Sequence, residues 1–569
     1  MAIVAVLRTH LLQIAFGTLA GLLVLICSIL CPQAIRAVEV RIFRLARVRI
    51  AAMLVLAALS FGGSAAVVAL THIPRPSVHD EFAYLLAADT FASGRLSNPT
   101  HPMWEHFHTF HVIQKPTYVS KFPPGQGFVL ATGQVLFGQP IVGVWITGAL
   151  TCAAMYWLLL RWFRPGIAFI GALFCVCQIG VATYWTQSYW GGMLAAWGGV
   201  LVFGAAHSLR RQPALRDTVI LLVGLAILSV SRPMEGLAAS LPILVYLGVL
   251  GIRGTHSFRK LFFRRVAIPF SLGAAALLLG LGYFNFTQTG RPLVTAYQVY
   301  TDTYEPINLF RRGQLNEPAI FRDPFLRRYY GLNAKVLKQY QSALLNQLPS
   351  AGKRLYTVWR FYVDPLLTIP LLLALVAPPR NGWLVWIPIA SVLGALLLFW
   401  YWLLPHYAAP ITGPLFLLIT QGWRRLRIWR PHQRIGLLLA RSLVAMCVAV
   451  LAAQVVKAWH DQTQWPPDWS DQRAELEGEL SRTAEKHLII VRYSQQHVSI
   501  REWVHNRADI DQARVVWARE LDPEHNRLLT SYFRDRRVWL LEADQPDPKI
   551  VPYPAPEDAP ATAVQSIGR

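Results

Sequence analysis

The chain has 569 residues, of which 54% are hydrophobic and only 15% charged, and its formal net charge is +23. Soluble globular proteins carry about 25% charged residues, so a soluble globular fold is excluded and a polytopic membrane protein is expected. The positive charge would suggest nucleic acid in a soluble chain. Here it is spread through short arginine-rich segments between apolar runs, the pattern of cytoplasmic loops, and no nucleic-acid partner is expected.

Apolar spans are predicted near 11–30, 50–70, 140–162, 166–185, 192–209, 217–231, 234–252, 266–286, 364–377, 382–404, 407–423 and 435–457. Each approaches the roughly 20 residues needed to cross a ~30 Å hydrocarbon core. Basic loops follow alternate spans, at Arg36–Arg49, Arg161/Arg164, Arg210–Arg216, Arg253–Arg265 and Arg424–Arg430. The other side is then exoplasmic. It receives a first large loop (71–122), a second (287–363), and everything after 458. An even count of spans puts the N-terminus on that side too. The first span has no convincing small-residue cleavage site and reads as an anchor. All six cysteines lie in or beside apolar spans, so no disulfide framework is implied.

Within the first loop, His79-Asp80-Glu81 opens an amphipathic stretch that should be a helix ending at Gly94. Ser77 and Asp80 have capping-box-like spacing, so the acids are read either as a cap or as a general base at the membrane face. Adjacent helical residues point about 100° apart, so at most one of them is the base. His101, His106, His108 and His111, with Glu105, cluster in the same loop. They read as solvated or acceptor-binding side chains, because their spacing fits no standard zinc signature. No cofactor is expected, and a divalent metal is compatible but not indicated. Lys121, before Pro123-Pro124, either snorkels or grips a phosphate. The apolar stretch 125–137 is too short to span and reads as a helix at the exoplasmic interface.

Arg232 and Glu235 fall at the junction of two spans, where an arginine needs a partner or a task. They form an ion pair with each other or an anion site. His406-Tyr407 is either an interfacial anchor or a ligand contact. Beyond 458 the composition becomes soluble. His487–Arg492, Ala513–Trp517 and Arg537–Leu541 read as buried strands, with a helix over Glu524–Phe533 and a Pro-rich tail at 546–560. The expected organisation is a transmembrane domain, 1–457, and a small soluble α/β domain, 458–569.

Three motifs carry a family resemblance. They are Asp80-Glu81-Phe-Ala-Tyr84 opening the first loop, Lys121-Phe-Pro-Pro-Gly-Gln126 closing it, and Tyr283-Phe-Asn285…Thr289-Gly-x-Pro292…Tyr297 after a late span. In order and placement they resemble the GT-C glycosyltransferases, the group containing protein O-mannosyltransferases and lipid A aminoarabinose transferases. The resemblance implies a polytopic α-helical fold of about 11–13 membrane helices with the small α/β exoplasmic domain. It implies inverting transfer of a sugar from a polyprenyl-phosphate donor to a lipid, glycan or protein acceptor. By the same resemblance Asp80 is the base and Lys121 a cation near the donor phosphate. Arg232, Glu81, His406, Tyr407 and Tyr297 are candidate substrate contacts. Ser120 stands where the aminoarabinose transferases have an acid, which argues against a carboxylate metal site there. The implied location is the bacterial inner membrane, with the active site and C-terminal domain on the periplasmic side. The alternative reading is a lipid-linked sugar transporter or a non-catalytic envelope-assembly subunit.

Overall fold

A computed structural model describes residues 2–305, 321–341, 348–379, 382–399, 403–429, 432–464 and 468–554. The predicted residue Arg430 and the tail beyond 554 lie outside these segments. The chain forms two compact units. The first comprises 1–74, 123–281 and 343–465, and the second 75–122, 282–342 and 466–569.

The first unit is helical. Among the described residues, five helices are long and apolar enough to cross a membrane, or up to seven if each bent pair counts as one span. Three more apolar helices, Pro165–Ile179, Met193–Leu209 and Trp383–Leu398, are shorter. The predicted spans are thus helices, but several are cut short: the one expected at 407–423 is a 3₁₀ segment, Pro405–Ile411, followed by Thr412–Arg427. The expected basic loop after the first span is a helix instead, Pro32–Arg47, bent 110° from the preceding one. Its sequence explains this: apolar Ile35, Val38, Ile42 and Leu45 repeat at helical spacing, with arginines between them. The predicted interfacial segment is the Pro124–Phe137 helix, which ends on Gly138 in the left-handed region (φ 71°). It packs so closely on the Pro140–Leu159 helix that a Cβ at Gly143 would collide with the Val129 carbonyl.

The second unit gathers three stretches distant in sequence. The first loop forms the His79–Ala92 helix and a small antiparallel sheet of β1 (Asn98–Pro99), β2 (Val112–Ile113) and β3 (Thr117–Ser120), in the order β1-β3-β2. The second loop supplies helices Ala296–Tyr304 and Pro324–Gln341. The C-terminal stretch supplies helix Trp469–Ser481 and a second sheet of β4 (Lys486–Arg492), β5 (Val515–Arg519), β6 (Arg536–Glu542) and β7 (Ile550–Pro552). Its order is β5-β4-β6-β7, parallel except for β6/β7. The strand β7 lies inside the expected Pro-rich tail, where Ile550 and Val551 pair with β6.

The continuous apolar run Leu488-Ile-Ile-Val491 marks β4 as a strand buried on both faces. Leu488 and Ile490 join Val516 and Ala518 in a cluster with Ala83, Leu86, Phe107 and Tyr118 of the first loop. Ile489 and Val491 pack on the other face with Trp503, Trp517 and Leu541. A third cluster joins Phe110, Ile113 and Val119 to Tyr300, Tyr304 and Phe325 of the second loop. The C-terminal sheet is therefore the floor on which the first loop is built.

Candidate active site

Asp80 stands in the first turn of the His79–Ala92 helix. The cap differs from the expected Ser77/Asp80 arrangement. The N-cap residue is Val78, whose side chain cannot accept a hydrogen bond, and Glu81 at N3 supplies the carboxylate. Glu81 Oε2 accepts the backbone N–H groups of Ser77 at 2.8 Å and Val78 at 3.3 Å. At 2% exposure, Glu81 serves the cap and thereby holds its neighbour. Asp80 keeps a quarter of its side chain accessible, and its Oδ2 lies 3.5 Å from His111 Nε2.

His111 connects several parts of the site. Its backbone is left-handed, φ 63°. Its N–H is donated to Tyr300 Oη at 3.2 Å, and its carbonyl accepts the Lys121 N–H at 2.9 Å. Burial, with the positive charge of Lys121 and the nearby His79 and His505, holds the imidazole pKa well below its ordinary value. The ring is therefore neutral at pH 7. Tyr300 Oη also shares a hydrogen bond with Tyr330 Oη at 2.6 Å.

Lys121 does not snorkel. It is 5% exposed, and its ammonium sits 3.1 Å from Glu305 Oε1. Aromatic rings surround it: Tyr300 at 4.1 Å and Tyr297 at 5.1 Å from the ring centroids. The loop carrying Tyr297 is shaped by its own polar residues. Asn285 donates to the Pro292 carbonyl, and the Thr289 hydroxyl lies within hydrogen-bond reach of the Arg291 and Val294 carbonyls. Asp80, Lys121 and Tyr297, picked out from the sequence, thus meet in one unit through His111 and Tyr300. Neither Tyr300 nor Glu305 was anticipated.

Four further predicted residues belong to the helical unit. His406 is buried on the 3₁₀ segment, with Nδ1 3.1 Å from Tyr184 Oη. The Arg232 guanidinium lies 4.8 Å from the Tyr407 ring centroid. Glu235 is buried on the first turn of the helix after Arg232.

The remaining loop histidines are not solvated. His101 pairs with Asp511 at 3.2 Å, and His106 reaches the Arg519 carbonyl at 2.8 Å and the His525 carbonyl at 3.2 Å. His79 Nε2 bonds the Ser499 carbonyl at 2.6 Å. These groups look polar in sequence, yet they are buried because the loop lies on the C-terminal sheet. Among the described residues, no group of three or more His, Cys, Asp or Glu side chains is placed to hold a metal. A buried charge cluster fastens the same loop. Arg519 donates to Asp323 at 2.7 Å, to Glu502, and through Nε to the His108 carbonyl at 2.6 Å.

No protein-family model and no curated protein matches the chain. Solved structures do. Apo ArnT from Cupriavidus metallidurans is similar at 14% identity over 86% of this chain and 92% of that one, with a TM-score of 0.49. ArnT bound to undecaprenyl phosphate gives 14%, 87%, 92% and 0.48. An Archaeoglobus fulgidus oligosaccharyltransferase tethered to an acceptor peptide gives 11%, 87%, 69% and 0.47. At such identities and scores, the chemistry has to be argued from the side chains themselves.

Proposed function

We propose that this multi-pass membrane protein is an inverting GT-C type glycosyltransferase. It moves a sugar from a polyprenyl-phosphate donor to a lipid, glycan or protein acceptor on the exoplasmic face of a bacterial inner membrane. The observation that carries this reading is a partly accessible carboxylate, Asp80, fixed at a helix start in the same unit as the buried ammonium of Lys121.

The chemistry needs little more. The Asp80 carboxylate takes the acceptor's hydroxyl proton as the acceptor oxygen bonds to the anomeric carbon. The bond from that carbon to the phosphate oxygen breaks on the opposite side, and polyprenyl phosphate departs as an anion. A phosphate leaves without a general acid, so one base and cationic stabilisation suffice. A glycosidase would instead need two carboxylates at a set separation. Lys121 is the cation for the phosphate, with Arg232 a second candidate. Tyr297, His406 and Tyr407 are proposed substrate contacts. No step calls for a cofactor.

The test is reconstituted protein given a polyprenyl-phosphate sugar with and without an acceptor fraction. Free polyprenyl phosphate should appear only with acceptor, and the product should have the inverted anomeric configuration. Asp80→Asn should lower turnover by roughly 10²-fold or more. Near-normal turnover in that variant would remove Asp80 from the mechanism. Movement of intact donor across the bilayer without cleavage would establish a transporter instead.

A further inference from the structure

We propose that His111 is a positioning residue for the base, its neutral Nε2–H holding one oxygen of Asp80 so that the other faces the acceptor hydroxyl. This rests on the reading of Asp80 as the base and adds to it a residue that the three sequence motifs do not contain.

Four observations converge on it. First, Nε2 lies 3.5 Å from Asp80 Oδ2, long for a resting hydrogen bond but within the range that tightens when a substrate completes a site. Second, the backbone of His111 is left-handed, a region in which His, Asn and Asp are enriched among residues with a side chain, and this turn fixes where the imidazole starts. Third, both backbone polar groups of His111 are tied down, to Tyr300 and to Lys121. The ring is thereby aimed by the chain just past β3, at Lys121, and by the helix that carries Tyr300. Fourth, Nδ1 is buried and without a hydrogen-bond partner among the described residues. That suits the tautomer with its proton on Nε2, because Nδ1 is then an acceptor with no proton to satisfy.

The charged and titratable groups facing the ring come from every element packed on it. They are Asp80 and His79 from the helix, Lys121 beyond β3, Tyr300 from the second loop and His505 from the C-terminal stretch. Lys121 and the two histidines oppose a second proton on the ring. A neutral donor orients the carboxylate without the full charge pairing that would weaken it as a base.

His111→Leu removes the donor, and His111→Gln keeps an N–H at comparable reach. With Leu, kcat should fall roughly tenfold to a hundredfold while the KM for donor stays near its starting value. A hydrogen bond to the ionised carboxylate favours that form, so its loss should move the acid limb of the pH–kcat profile upward by about one unit. Gln should recover most of the rate and return the limb. If Leu lowers the rate with the acid limb unmoved, or if Gln is no better than Leu, the positioning role is wrong. If Asp80→Asn abolishes turnover while His111→Leu is silent, this inference alone fails. If Asp80→Asn is itself near normal, the base assignment fails first.

Discussion

Replacing Arg519 should loosen the first loop more than replacing the acid it pairs with. Arg519 and Glu502 are both 0% exposed by side chain, and Asp323 is nearly as buried. Burial opposes the guanidinium charge, but Glu502 and Asp323 outweigh it and hold the group above its ordinary pKa. Arg519→Met would leave two carboxylates buried without their cation. Breaking a buried pair in this way costs about 3–5 kcal/mol. Glu502→Gln leaves the Arg519–Asp323 pair in place, and with its one amide oxygen turned to Arg519 it gives up the Val504 N–H that Glu502 accepts at 2.9 Å. Its cost should be about 1–2 kcal/mol. Because Arg519 also donates to the His108 carbonyl, the larger loss should appear in that loop. Thermal unfolding of the purified variants gives the order, and amide hydrogen exchange across 105–122 gives the place. Equal destabilisation by the two variants, or faster exchange confined to β5, would refute this account of the cluster.

Acidification should destabilise the second unit through His79, whose pKa is lowered from 6.5 to about 4, chiefly by burial and against its bond to Ser499. The unfolded chain binds the proton first, so stability is complete above pH 6.5 and falls as pH drops toward 4, with about 2 kcal/mol gone by pH 5. A pH series of melting temperatures should show this slope, and His79→Gln should flatten it. Glu81→Ala should cost about 1 kcal/mol or more by uncapping the helix, read as faster amide exchange at Ser77 and Val78; unchanged exchange would contradict the cap. Lys121→Met should weaken donor binding, whereas Glu305→Gln, which frees the ammonium, should tighten it roughly threefold to tenfold. Titration of both variants with a donor analogue decides the point, since changes of the same sign would separate Glu305 from the lysine's availability.

Much of the fold was legible because its signals are local. Apolar length marked the helices, and the runs Leu488–Val491 and Val538–Leu541 marked the parallel core of the C-terminal sheet. Asp80, Lys121 and Tyr297 could be singled out because each sits in a short motif, and the structure places them in one unit. The rest depends on pairings that leave no periodic trace. Glu305 meets Lys121 across 184 residues of chain, and Tyr300 meets His111 across 189. The loop histidines misled for the same reason. A polar sequence between two spans looks solvated, and only the sheet packed beneath it shows why His101 and His106 are buried. The segment after the first span misled differently: its arginines suggested a loop and hid the helical spacing of Ile35, Val38, Ile42 and Leu45.

The bonds from His106 to the Arg519 carbonyl and from Arg519 to the His108 carbonyl close across 413 and 411 residues. A ribosome making this chain therefore delivers Asp80 long before it delivers the strand that supports the Asp80 loop. Nascent chains that stop short of β5 carry the proposed base on a loop with no floor. The protein consequently completes the proposed site only late in synthesis.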